Sequence, residues 1–324
     1  MAEGRGGRVA GNARTSSRES SSGYFSLRLP SFRDVLMLYP TPPVPLPSEP
    51  GLLRLIWDGR RLVRPVFIDD EQAAVFTDWL EILRAAGVPF AVGGAYAVYA
   101  FTGAWRDTKD LDLFLTPRDL KAALDALRAA GYETEVRDRY WLAKAHRPPY
   151  LLDLLFAVRH STSLKVGDHW FATCRPAELL GVQTCLLSPE ELIATKVYLG
   201  ARDRFDGADI VHLIRATHGR IDWEHLIDLL RGDDEIVLWH LLLFQYVYPG
   251  HRDELPLDLM QRIFDKMMAA GRSPADTRRF RGMLIDPVSF AVDMAQWGYE
   301  DTREHEPLVA HDGAAMVVDD EEAA

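Results

Sequence analysis

The sequence predicts an α/β N-terminal half followed by an α-helical C-terminal half. Three observations carry this. Between residues 70 and 158, apolar runs of strand length alternate with longer runs of helical period. After about residue 188 the apolar residues keep the helical period alone. A chain of 324 residues, 48% hydrophobic and 26% charged, is long enough to bury a sizeable core without disulfide staples.

The folded region is expected from near Gly51. Residues 70–86 carry apolar side chains at helical spacing, with Asp69 and Asp70 suited to the N-terminal end and Gly87 to the stop. A strand from Pro89 to Val92 runs into Gly93-Gly94, and a helix follows from Ala95 to Thr102. Leu111 to Leu115 reads as the next strand, and Pro117 to Ala130 as a helix stopped by Gly131. Strands are expected near 132–137, 139–146 and 150–158, the last two parted by Arg147-Pro148-Pro149. Helices are expected at 189–201, 204–217, 222–231, 235–248, 256–270 and 275–295. The apolar-rich stretch from Ile236 reads as a core helix of the C-terminal bundle.

The ends differ in composition. Residues 1–22 are rich in Gly, Arg and Ser and are expected to be disordered; residues 40–49 are Pro-dense and read as an extended connector. Tyr24 to Tyr39 between them reads as a short helix or strand packed on the main domain. The expected division is an N-terminal segment at 1–50, an α/β domain at 51–187, a helical domain at 188–300 and an acidic, disordered tail at 301–324.

The net charge is −11. Residues 1–50 hold six Arg against four acids, and residues 301–324 hold one Arg against eight acids, so much of the acidity is terminal. That balance argues against a protein that coats nucleic acid. The two cysteines, Cys174 and Cys185, match no zinc-ligand spacing and suit a reducing cytosol. No run of about 18 apolar residues exists to span a membrane, and the N-terminus lacks the apolar stretch of a signal peptide. A cytoplasmic location is the expectation.

The chemistry concentrates in FAVGGAYAVYAFTGAWRDTKDLDLFL, Phe90 to Leu115. Gly93-Gly94 sits at a strand-to-helix junction, where glycine lets a phosphate approach the backbone and helix amides point at it. Asp110 and Asp112 are two residues apart in a strand and so share a face. Two carboxylates beside a phosphate cradle make a hard oxygen site suited to Mg²⁺. Arg106 and Lys109, just upstream, are placed to neutralise phosphate charge. Asp153 is the one charge between Tyr150 and Val158. A lone acid in an apolar strand is costly unless paired or metal-bound. If its strand lies beside that of Asp110 and Asp112, three carboxylates converge, enough for two Mg²⁺ ions, and Asp153 is placed to take a proton from an acceptor hydroxyl. Each residue also has a plain structural role available: a tight turn for the glycines, ion pairs or caps for the charges. Lys144 and Arg147, near the Pro148-Pro149 turn, have two readings, a contact to phosphate and a plain surface role, of which the surface role weighs more.

Gly93-Gly94, Asp110-Leu111-Asp112 and the later strand acid Asp153 together resemble the DNA polymerase β-like nucleotidyltransferases. Within that superfamily the pattern Gly93, Gly94, Tyr96, Arg106, Thr108, Asp110, Asp112 is similar to the minimal bacterial enzymes, which include AbiE-type toxins and small antibiotic-modifying nucleotidyltransferases. Downstream, Lys196, Arg204, Asp206 and Asp209 resemble the helical segment after the catalytic core in the toxin-like members. The resemblance covers roughly residues 75–215. It implies a nucleotidyltransferase fold, a mixed β-sheet flanked by helices with a helical domain behind it. It implies Mg²⁺-dependent transfer of a nucleoside monophosphate from an NTP to an acceptor hydroxyl on a tRNA, a protein or a small molecule. Asp110, Asp112 and Asp153 would be catalytic and hold the metal. Gly93, Gly94, Arg106, Thr108 and Lys196 would bind the nucleotide, with Asp206 and Asp209 supporting. A toxin-like role implies an antitoxin partner. The alternative is a catalytically degenerate module of the same fold that binds nucleotide or a partner; the intact acids favour the enzyme.

Overall fold

The computed structural model describes residues 62–63, 68–158, 161–198, 205–230, 232–271, 277–301 and 307–316. Expectations for residues 1–50, for most of the segment up to Ile68, for Arg204 and for the last eight residues lie outside these.

The first helix, α1 (Asp70–Ala85), starts where expected because the Asp69 carboxylate accepts from the Gln72 amide at 2.7 Å. Its buried face, Val75, Phe76, Trp79, Leu80 and Leu83, follows the helical period. β1 (Leu62–Val63) precedes it; β2 (Ala91–Val92) and α2 (Gly94–Thr102) follow. Next come β3 (Asp110–Phe114), α3 (Leu120–Ala129), β4 (Glu133–Asp138), β5 (Leu142–Arg147) and β6 (Tyr150–Leu155). Apart from β1, which had no sequence expectation, these lie close to the ranges read from the sequence.

The strand expected to run to residue 158 breaks after Leu155, and β7 (Ala157–Val158) pairs separately with β8 (Ser161–Lys165). Like β8, three further elements had no sequence expectation: α4 (Asp168–Thr173), β9 (Arg175–Leu179) and β10 (Val182–Leu186). The β9–β10 hairpin turns on Leu180 and Gly181, both at positive φ (52° and 86°). That geometry matches the strand twist, but Leu-Gly is not the Asn-Gly or Asp-Gly signal that marks such turns.

Eight strands form one mixed sheet in the order β1-β9-β10-β2-β3-β6-β5-β4. β3 and β6 are parallel; β2–β3, β5–β6 and β4–β5 are antiparallel. Burial alternates along β6, with Tyr150, Leu152 and Leu154 buried and Leu151, Asp153 and Leu155 only partly so. β3 alternates likewise, Leu111 and Leu113 being fully buried while Asp110 and Asp112 keep some exposure. Each strand therefore gives one face to the core and presents its acids on the other.

From Pro189 helices dominate: α5 (Pro189–Lys196), α6 (Gly207–Ala216), α7 (Trp223–Leu230), α8 (Asp234–Val247) and α9 (Leu257–Ala270). The helix expected at 275–295 is instead two short ones, α10 (Gly282–Ile285) and α11 (Ala291–Trp297), separated around Pro287. α8 is only half a core helix. Val237, Leu241 and Phe244 are buried, but Trp239, Leu242 and Tyr246 on the opposite side are exposed. The solvated tail expected at the C-terminus also departs at residues 307–316. Leu308 and Val309 are buried, and their amides donate to the Arg139 carbonyl. Three consecutive apolar residues, Leu308 to Ala310, anchor this stretch despite its acidic neighbours. No helix among the described residues is long and apolar enough to cross a membrane.

Candidate active site

The site is built on the register between β3 and β6. Asp112 pairs with Asp153, and Asp110 with Leu151, on parallel strands. Paired residues project to the same face, so the adjacency that the sequence left conditional is present. The register continues outward: Asp153 pairs with Lys144 on β5, and Lys144 with Glu135 on β4. A row Asp112–Asp153–Lys144–Glu135 thus crosses four strands on one face, with Asp110 two positions along β3.

Lys144 Nζ donates to Asp153 Oδ1 at 2.6 Å, both side chains being mostly buried. Burial pushes the Asp153 carboxyl above its usual range; Lys144 pulls it back, Asp110 adds to the rise, and His146 opposes it. His146 Nε2 lies 3.4 Å from Glu135 Oε1. The sequence reading placed Lys144 on the surface. The signal that it belongs to the site is the strand pairing, which periodicity alone does not show.

The Gly93 amide donates to the Asp112 carbonyl at 3.0 Å, tying the β2–α2 junction to the site strand. A Cβ at Gly93 would lie 2.3 Å from the Phe114 ring. Gly94 has φ +54°, and a Cβ there would lie 1.7 Å from Asp112 Oδ2. Only glycine allows this close approach of backbone to carboxylate. The N-terminus of α2 is thereby seated directly on Asp112.

Thr108 Oγ1 accepts from the Asp110 amide at 3.1 Å, and Gln72 Nε2 donates to the Thr108 carbonyl at 2.7 Å. Thr108 therefore fixes the start of β3. Arg106 reaches Asp209 Oδ2 at 2.5 Å. Lys196 Nζ lies 2.9 Å from Asp209 Oδ2 and 3.3 Å from Asp206 Oδ2, and all three of these side chains are at most 5% exposed. The resemblance implied a phosphate contact for Lys196. The structure instead places its ammonium between two buried aspartates, which makes Arg106, Lys196, Asp206 and Asp209 one ion network linking the segment before β3 to α5 and α6.

Convergence of three carboxylates on one point is not what the structure shows. Among the described residues no group of three or more His, Cys, Asp or Glu side chains is close enough to hold one ion. Asp110, Asp112 and Asp153 share a face, and Asp153 is engaged by Lys144. The donor chemistry nonetheless suits Mg²⁺, since all three are hard carboxylates on a half-exposed face.

Residues 72–232 match the model of a family described as uncharacterised nucleotidyltransferase. Similar solved structures include the antibiotic-resistance factor ANT(2'')-Ia, 18% identical with TM-score 0.40 over 53% of this chain and 98% of that one. The lincosamide antibiotic adenylyltransferase LnuA, bound to lincomycin, is 16% identical with TM-score 0.34 over 45% of this chain and 96% of that one. An antigenic nucleotidyltransferase-like protein from Paracoccidioides brasiliensis is 18% identical with TM-score 0.36, over 57% and 94%. No curated protein matches the chain.

Proposed function

We propose that the protein is a nucleotidyltransferase like the family whose model matches residues 72–232, and that it transfers a nucleoside monophosphate from an NTP to an acceptor hydroxyl with Mg²⁺, releasing pyrophosphate. The observation that carries this is the β3–β6 register, which sets Asp112 beside Asp153 on the face where Asp110 also projects. Gly94 and the amide end of α2 abut the same carboxylate. Triphosphate recognition and hard-cation binding thus meet at Asp112.

Asp110 and Asp112 would hold the ion, with Asp153 as the third donor. When bound, Mg²⁺ screens the triphosphate charge and polarises the phosphorus under attack. The chain's own residues do the rest. Gly93 and Gly94 admit the phosphates to the helix amides. Thr108 and Gln72 keep Asp110 in register. Asp153, in its half-buried setting, accepts the proton from the acceptor hydroxyl. The Arg106–Asp209–Lys196 network braces the approach to β3 from behind. Catalysis by this design is positioning and electrostatics, with no covalent enzyme intermediate.

The test is incubation of purified protein with Mg²⁺, each α-labelled NTP and separate pools of tRNA, proteins and aminoglycoside or lincosamide acceptors, beside Asp110→Ala/Asp112→Ala. Label transfer lost in the double variant is the expected result, and the pool that is labelled names the acceptor class. Transfer to a tRNA, together with growth arrest by the wild type but not the double variant, would support the toxin-like role and its antitoxin partner. NTP binding without transfer in any pool favours a degenerate binding module.

A further inference from the structure

Asp110, Asp112, Asp153 and Glu135 project from β3, β6 and β4 on one face of the sheet, with Lys144 of β5 between Asp153 and Glu135. The one ammonium in that row is Lys144, which is spent on Asp153 Oδ1 at 2.6 Å. His146, one register step away, faces Glu135 rather than Asp153.

Resting on the nucleotidyltransferase reading above, we propose that Lys144 is the resident cation of the third carboxylate. It neutralises Asp153 in the nucleotide-free chain and yields that carboxylate when a divalent cation enters. Three features fit. Lys144 and Asp153 are held opposite each other by backbone register, so the pair forms wherever the sheet forms. Lysine's flexible four-carbon stem lets the ammonium leave without moving β5. And the Lys144 ammonium holds Asp153 Oδ1 at 2.6 Å, on the carboxylate that would be the third metal donor. Lys144 is then a positioning residue that sets the threshold for metal entry.

The experiment measures Mn²⁺ affinity by electron paramagnetic resonance of the free ion, with no nucleotide, at one fixed neutral pH. Wild type, Lys144→Met, Lys144→Gln, Lys144→Arg and Asp110→Ala are compared, with circular dichroism as the folding control. Removing a cation in contact with the site should tighten Mn²⁺ binding roughly tenfold or more in Lys144→Met and Lys144→Gln. Lys144→Arg should stay near wild type, and Asp110→Ala should weaken binding. Equal affinity in wild type and both uncharged variants, with Asp110→Ala still weakened, overturns the role of Lys144 and leaves the metal reading standing. Weaker binding in the uncharged variants also overturns it, since Lys144 would then support the site rather than guard it. No Mn²⁺ binding by any protein, with or without an NTP, overturns the nucleotidyltransferase reading and this inference together.

Discussion

Asp112 Oδ2 occupies the space where a side chain on Gly94 would begin, 1.7 Å from the position of a Cβ. A helix end and a metal-type carboxylate are thereby locked together by the absence of one methyl group. Gly94→Ala must move Asp112 or the start of α2, and its φ of +54° adds about 1–2 kcal/mol of strain. The expected result is loss of NTP transfer with a modest fall in melting temperature. Gly93→Ala meets the Phe114 ring instead and should cost about 1–3 kcal/mol of stability. Paired measurement of melting temperature and label transfer in the two variants separates site damage from packing damage.

Asp110→Asn and Asp112→Asn keep the side-chain shape and remove a charge. Each should lower transfer by on the order of 10²-fold or more. Stability should hold or rise slightly, because like charges on one face repel. Single-turnover kinetics with thermal denaturation of the same samples checks both halves.

Lys196 is a different kind of residue. Its ammonium sits between Asp206 and Asp209 with the side chain 5% exposed. Lys196→Met removes the ammonium that Asp206 and Asp209 share, leaving Asp209 to Arg106, and should cost about 3–5 kcal/mol in urea unfolding. Adding Asp206→Asn and Asp209→Asn should recover a large part of that loss. A Lys196→Met protein that stays fully stable but loses NTP affinity would return Lys196 to the phosphate role its resemblance implied.

Stability should fall with pH in the range set by buried histidines. Burial holds the His240 imidazole below its usual value, while its Nδ1 contact with the Ile236 carbonyl works the other way. His212 is lowered too, again chiefly by burial. As pH falls the unfolded chain takes up the proton first, at about its ordinary 6.5. The stability tied to the neutral ring is therefore whole above that value and is lost as pH drops toward the folded-state value. Melting temperatures between about pH 8 and pH 5 should decline, and His240→Gln should flatten the slope.

Much of the fold was legible because its elements carry strong local signals. Asp69 caps α1 and the 3.6-residue apolar period runs through it, while β3 alternates acid and apolar residues and β6 is an apolar run broken by Asp153 alone. Residues 159–187 were not legible, since their strands are short and turn on Leu180-Gly181. Within the site, Asp110, Asp112 and Asp153 could be picked out as charges in apolar strands. Lys144 could not, because its meaning lies in which strand it faces. The buried state of Lys196 was equally hidden: its partners are ten and thirteen residues on, across a helix boundary. The tail at 307–316 misled because acidic composition outweighed three apolar residues that find a pocket against Arg139.

The most direct test of the central claim is a crystal structure of the chain with Mg²⁺ and a non-hydrolysable NTP analogue. The account predicts an ion about 2.0–2.1 Å from carboxylate oxygens of both Asp110 and Asp112. The triphosphate should lie against the amide end of α2 that begins at Gly94, with Asp153 released from Lys144. A nucleotide bound elsewhere, or an ion site that excludes Asp110 and Asp112, would contradict it.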